Sequence, residues 1–274
     1  MGVAEHPQPP LLEVEGLTLE FPVGGARVRV VSGVSFAVGA GEILGLVGTS
    51  GSGKTMTALA LFRLVPPPGR IAAGRIRIAG ADLLELGREP LRRLRGGRIA
   101  LVPQDPAAGF DPLFPVGAQI AEVARAHRDL SRKAARAEAL RLLSRAGLAG
   151  PERVAASYPH QLSGGQRQRA AIAAALAGSP RVLVADEPTS ALDATVQAQV
   201  LDLLARLAAE EGLAILLITH DLGVVATVCD RALVLSAGEA VEEGPSAELL
   251  RAPRHPATQR LVAAAPRLGR RSAP

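Results

Sequence analysis

The 274-residue chain is 48% hydrophobic, 21% charged and only 2% aromatic, a globular composition with ample apolar material for a core. Five Phe, one Tyr and no Trp leave no raw material for a nucleic-acid platform of repeatedly stacked aromatics, although the net charge is +5. That charge is uneven: residues 125–153 carry eight Arg or Lys against three acids, and residues 251–274 six Arg and no acid, so the remaining body is acidic.

Among 31 basic residues only Lys54 and Lys133 are lysines, so a lysine kept against this bias toward Arg draws attention. The single cysteine, Cys229, excludes an internal disulfide framework and a thiolate-built cluster, and points to the cytosol. No charge-free apolar run approaches the roughly 18 residues of a membrane-spanning helix. Residues 1–10 are polar and Pro-rich, expected to be disordered and without a signal peptide's apolar block.

In chain order, Leu11 to Phe21 alternates apolar and polar residues, and a second such run precedes Val34-Ser35-Phe36. Both predict half-exposed antiparallel strands. Ile43 to Val47 is instead a short continuous apolar run, followed by a Gly-rich turn and a helical stretch from Thr55 to Leu64. That is the strand, loop and helix of a mainly parallel α/β sheet. Ile99 to Val102, Val182 to Ala185 and Ala214 to Ile218 have the same buried-strand character and lead to Gln104, Asp186 with Glu187, and His220. These polar residues would converge on one sheet edge, where open α/β sheets bind ligands. Between Gln104 and Ser163 the pattern is helical, with Arg132 to Ala146 closed by Gly147. It predicts a helical insertion, at about 105–162, in an α/β core spanning 11–250. Residues 251–274 read as a basic, Pro-punctuated tail.

Gly48-Thr49-Ser50-Gly51-Ser52-Gly53-Lys54-Thr55 matches the phosphate-loop pattern G-x-x-x-x-G-K-[ST] in full. Its glycines let successive N–H groups turn inward around a di- or triphosphate, Lys54 neutralises the outer phosphates, and Thr55 offers a hydroxyl to Mg²⁺. Asp186 and Glu187 end an apolar strand, the first placed to hold Mg²⁺ through water and the second to orient an attacking water. Ser163-Gly164-Gly165-Gln166 opens an Ala-rich helix, so its exposed amides and the Ser163 hydroxyl form a second anion site.

This ordered set, phosphate loop, Gln104, LSGGQ, the DE strand and His220, resembles the signature of ATP-binding cassette (ABC) ATPases, and the likeness runs from Leu11 to about Pro266. The resemblance implies a P-loop NTPase core with a small antiparallel β subdomain and an inserted α-helical subdomain. It implies ATP and Mg²⁺ as cofactors, Gln104 as a lid residue on Mg²⁺ and the lytic water, Glu187 as base and His220 on the γ-phosphate. Ser190-Ala191-Leu192-Asp193 would cross an interface between two cassettes packed head to tail, each ATP lying between one phosphate loop and the partner's LSGGQ. The adenine-stacking aromatic expected in the family falls to Phe21, the only aromatic residue before Phe36.

Gln104-Asp105-Pro106, Asp111-Pro112, Gln119-Ile120, Tyr158-Pro159-His160-Gln161, Thr195-Val196-Gln197-Ala198-Gln199 and His255-Pro256-Ala257-Thr258 resemble the peptide and nickel importer subfamily. Asp111 stands where Asn is usual and Ala257 where an aromatic is usual, and the tail lacks the cysteines that bind an iron–sulfur cluster in many peptide importers. The short tail shifts some weight toward nickel or another small solute, but the expected function remains ATP-driven import of di- or oligopeptides, with nickel or another small solute as the alternative cargo. The implied partners are two membrane permease subunits, a second ATPase subunit, identical or related, and an extracytoplasmic solute-binding protein, with the chain peripheral on the cytoplasmic face of the inner membrane. A non-transport ABC ATPase acting on nucleic acid is the reading of another class. Such chains usually carry a coiled coil or zinc module, and neither heptads nor Cys clusters occur here.

Overall fold

The computed structural model describes residues 9–265; the residues before and after, which hold most of the N-terminal segment and the end of the tail, lie outside the description. Two sheets share one core. The first is antiparallel, in the order β2-β1-β4-β5, with β1 at Leu12–Val23, β2 at Ala26–Val38, β4 at Arg70–Ile78 and the short β5 at Ala81–Asp82. The second runs β10-β9-β3-β8-β7-β6, from β3 (Ile43–Gly48), β6 (Ile99–Val102), β7 (Val182–Asp186), β8 (Ala214–Thr219), β9 (Arg231–Ser236) and β10 (Glu239–Pro245). It is parallel except for the edge strand β10.

Strands β3, β7 and β8 are buried along their whole length, which is why they read as unbroken apolar runs rather than as alternation. Their side chains still alternate between faces. Leu44, Leu46, Val182, Val184, Leu216 and Ile218 pack toward the antiparallel sheet and α1 (Lys54–Ala60). Ile43, Leu183, Ala185, Ile215 and Leu217 pack on the opposite face, in a core shared with α3 (Val116–His127), α4 (Arg132–Arg145), α5 (Pro151–Ala156), α6 (Gly164–Leu176) and α7 (Ala194–Glu211). A third apolar cluster joins Val47, Ala232 and Val234 to α8 (Leu222–Val228), α9 (Ser246–Arg251) and α10 (Pro256–Ala264).

Three features differ from the sequence expectation. Helix α1 stops at Ala60 rather than Leu64, because Arg63 turns into the left-handed region at φ 50° just before the prolines at 66–68. Strands β4, β9 and β10 and helix α2 (Arg88–Gly97) carry no pattern strong enough to have been singled out. The chain from 251 to 265 is no free tail: Glu242 of β10 accepts the backbone N–H of Arg254 and of His255, each at 2.9 Å, and Ala257 and Thr258 are buried. Burial pushes the Glu242 carboxyl up, but the nearby Thr258 hydroxyl, the hydrogen bonds from those two amides and the neighbouring His255 outweigh it and hold the group below its ordinary pKa.

Among the described residues no helix is long and apolar enough to cross a membrane.

Candidate active site

The C-terminal ends of β3, β6, β7 and β8 open on one cavity of about 660 Å³. Its lining includes Gly48, Thr49, Ser50, Gly51, Gly53, Lys54, Thr55, Gln104, Glu187 and His220. Strand register places them: β3 lies between β8 and β9, with β7 next to β8, so three successive strand ends deliver the phosphate loop, His220 and the acidic pair side by side.

The loop has its shape because of its glycines at two points. A Cβ on Gly48 would overlap the Leu235 carbonyl and the Ser52 hydroxyl, and Gly53 turns at φ 102° with a would-be Cβ 2.9 Å from the Val30 carbonyl. That turn starts α1 directly, and the first residues of the helix, Lys54, Thr55 and Met56, line the cavity. Lys54 is 7% exposed, and its ammonium donates to the carbonyls of Gly48 at 2.8 Å and Thr49 at 2.9 Å. Burial lowers its pKa, opposed by the carboxylates of Glu187 and Asp186. With three donors on the ammonium and two used on the loop, one is left for an anion.

Glu187 is the junction of the site. Its two oxygens separate two neighbours: Oε1 lies 2.9 Å from His220 Nδ1, and Oε2 accepts from Gln104 Nε2 at 3.0 Å. The backbone there is left-handed, φ 46°, and is fixed by the Glu187 N–H donating to the Ile218 carbonyl at 2.9 Å and by the Ser190 hydroxyl donating to the Glu187 carbonyl at 3.1 Å. Asp186, one residue back, is 7% exposed, and its Oδ1 is buried without a hydrogen-bond partner. Burial raises its pKa above the ordinary carboxylate value, against the pull of the Thr55 hydroxyl and Lys54. A buried carboxylate oxygen left unsatisfied is costly in a folded chain, and beside a phosphate loop it suits a hard cation that takes oxygen ligands. Among the described residues no group of three or more His, Cys, Asp or Glu forms a metal site by itself. A cation here would therefore share its coordination with phosphate oxygens, the usual habit of Mg²⁺.

The LSGGQ segment is placed elsewhere. Ser163 caps α6 by accepting the Gln166 N–H at 3.3 Å, while the Gln166 side chain accepts the Ser163 N–H at 3.0 Å. Gly165 is required by packing, since a Cβ there would overlap Val196 of α7, whereas a Cβ on Gly164 would meet Leu192 Cδ2 no closer than 4.0 Å among the described residues. None of Ser163, Gly164, Gly165 and Gln166 lines the cavity. Asp193 does not line it either: it caps α7, accepting the N–H groups of Thr195 and Val196, both at 3.0 Å.

Phe21 is not brought to the site. It pairs across the β1–β2 hairpin with Val28 and its ring lies over Gly69, where a Cβ would overlap it. The apolar cavity residues are instead Val30, Met56 and Leu261. Val30 sits in the segment where an adenine contact could be sought; Leu261 lies more than two hundred residues beyond the phosphate loop, on α10, and no local pattern marks it.

The family model described as ABC transporter matches residues 31–190. A peptide import ATP-binding protein of Brucella abortus (strain 2308) is 46% identical over 95% of this chain and 79% of its own length. The oligopeptide transport ATP-binding protein OppD of Bacillus subtilis (strain 168) is 45% identical over 94% of this chain and 72% of its own. Among solved structures, a dimeric ATP-binding cassette in a post-hydrolysis state with ADP and Pi has a TM-score of 0.77 at 30% identity, covering 86% of this chain and 98% of its own. The cbiO1 protein of Clostridium perfringens, part of the ABC transporter complex cbiONQ, has a TM-score of 0.75 at 27% identity, covering 89% of this chain and 92% of its own.

Proposed function

We propose, from the premise that this chain belongs to the ABC transporter family and is one of its ATP-hydrolysing subunits, that it powers the uptake of di- or oligopeptides through a pair of membrane permeases. The observation that carries the reading is the convergence of Lys54, Gln104, Glu187 and His220 on one cavity, with Asp186 beneath it. Names of relatives favour peptides over nickel as cargo.

In this reading the phosphate-loop amides and Lys54 take the β- and γ-phosphates. Thr55, Asp186 and Gln104 would hold Mg²⁺, which supplies neutralisation of phosphate charge when bound. Glu187 accepts a hydrogen bond from the attacking water and aligns it, with Gln104 and His220 holding its two oxygens apart and in place. His220 is 61% exposed at its side chain, so its Nε2 can meet a terminal phosphate while Nδ1 stays on Glu187. Catalysis is then electrostatic positioning, with no covalent intermediate on the protein.

The position of Ser163 and Gly164 outside the cavity supports a head-to-tail dimer, in which a second cassette lays its α6 N-terminus on the bound triphosphate. Asp193 and its loop would lie at the same interface. The chain would work at the cytoplasmic face of the inner membrane, docked on its permeases, with an extracytoplasmic binding protein delivering the peptide. Reconstitution with the two permeases in vesicles tests this: ATP-dependent accumulation of a short peptide supports it, and Ni²⁺ accumulation without peptide uptake overturns the cargo.

A further inference from the structure

Leu261 lines the cavity although it belongs to none of the ATPase motifs and lies far beyond the end of the span matched by the family model. It stands on α10, half-buried against the third apolar cluster that contains Val47, the residue before the phosphate loop. The helix is held there by several independent contacts. Glu242 takes the two backbone N–H groups ahead of it, His255 caps its start by accepting the Ala257 N–H at 3.2 Å, and Ala257 and Thr258 are buried. A docked helix that adds an aliphatic side chain to the apolar part of the cavity wall, formed otherwise by Val30 and Met56, is a wall and not a tether.

We propose that Leu261 contacts the bound nucleotide, so that the C-terminal helix is a structural part of the nucleotide site. The inference rests on the reading that this cavity takes ATP. A leucine there buries apolar surface on the ligand side and excludes water beside the phosphate loop, which strengthens the attraction of Lys54 for phosphate. Docking of α10 through Glu242 and nucleotide affinity are then linked: what loosens the helix weakens ATP, and ATP steadies the helix.

Val262 provides the control, because it packs on the same apolar cluster and does not line the cavity. In calorimetric titrations of the full chain with Mg-ATP, Leu261→Ala should raise Kd about three- to tenfold while Val262→Ala stays within about twofold of wild type. Equal affinity of Leu261→Ala and wild type, or equal weakening by both variants, would overturn the proposal. Hydrogen exchange on the wild-type chain gives a readout that needs no variant: the α10 amides should gain protection on adding Mg-ATP, and unchanged exchange there counts against the idea. Lys54→Ala separates loss of the phosphate site from loss of the Leu261 contact. If it binds ATP like wild type, the phosphate-loop reading has failed; if it alone loses binding, only the role of Leu261 has.

Discussion

Glu187 and Asp186 are adjacent, yet the fold treats them oppositely. Glu187 accepts an unfavourable left-handed backbone, worth of order 1–3 kcal/mol of strain, and in return presents its carboxylate to Gln104 and His220. Asp186 keeps an ordinary strand backbone but buries an oxygen with no partner. Its raised pKa means that the folded chain holds the proton more tightly than the unfolded one. Whatever stability it contributes is therefore present at low pH and lost as pH rises through the folded pKa, so at neutral pH the group destabilises the nucleotide-free protein. Asp186→Asn is expected to raise the melting temperature of the nucleotide-free chain and to remove Mg²⁺-dependent turnover. A thermal melt and a phosphate-release assay on the same preparation check both halves. Lys54→Ala should remove most nucleotide affinity, as a binding isotherm would show, since no other side-chain ammonium lines the cavity.

Helix α6 shows how an element can be placed for a task by two unrelated constraints. Its capping box satisfies the first-turn amides locally, and Gly165 lets it press against Val196 of α7. Ser163→Ala should cost about 1 kcal/mol of stability; Gly165→Ala, which overpacks the α6–α7 contact, about 1–3 kcal/mol, both readable by denaturant unfolding. The helical insertion has its own pH signature. Glu138 of α4 is hydrogen-bonded first by Arg141 and also by Arg128, which follows α3, and its pKa is lowered to about 2. That contribution is complete above the ordinary value of 4.5 and is lost as pH falls toward about 2. In the variant Glu138→Gln, stability should fall less between pH 4.5 and 2 than in wild type, measured by urea unfolding across that window. These elements were legible in sequence to differing degrees. The buried parallel strands announce themselves by unbroken apolar runs and α4 by a helical stretch closed by Gly147, whereas β4, with three Arg and a Gly among its nine residues, has no such pattern until β1 pairs with it.

At the scale of the whole molecule, the motif residues were readable because phosphate chemistry dictates residue types at fixed local spacing. The placing of Phe21 outside the cavity and the docking of residues 251–265 both depend on distant partners. Phe21 is drawn to Gly69, and residues 251–265 are folded back by Glu242, neither of which leaves a local trace. The charge distribution acquires a structural meaning as well: in the basic insertion Arg128 and Arg141 are held on Glu138, whereas Arg125, Arg132, Lys133, Arg136 and Arg153 stay exposed. Everything in the account turns on one cavity hydrolysing ATP with Glu187 as base. Measured on purified Glu187→Gln, Mg-ATP binding should match wild type while phosphate release falls at least about 100-fold. Phosphate release at the wild-type rate would contradict the account.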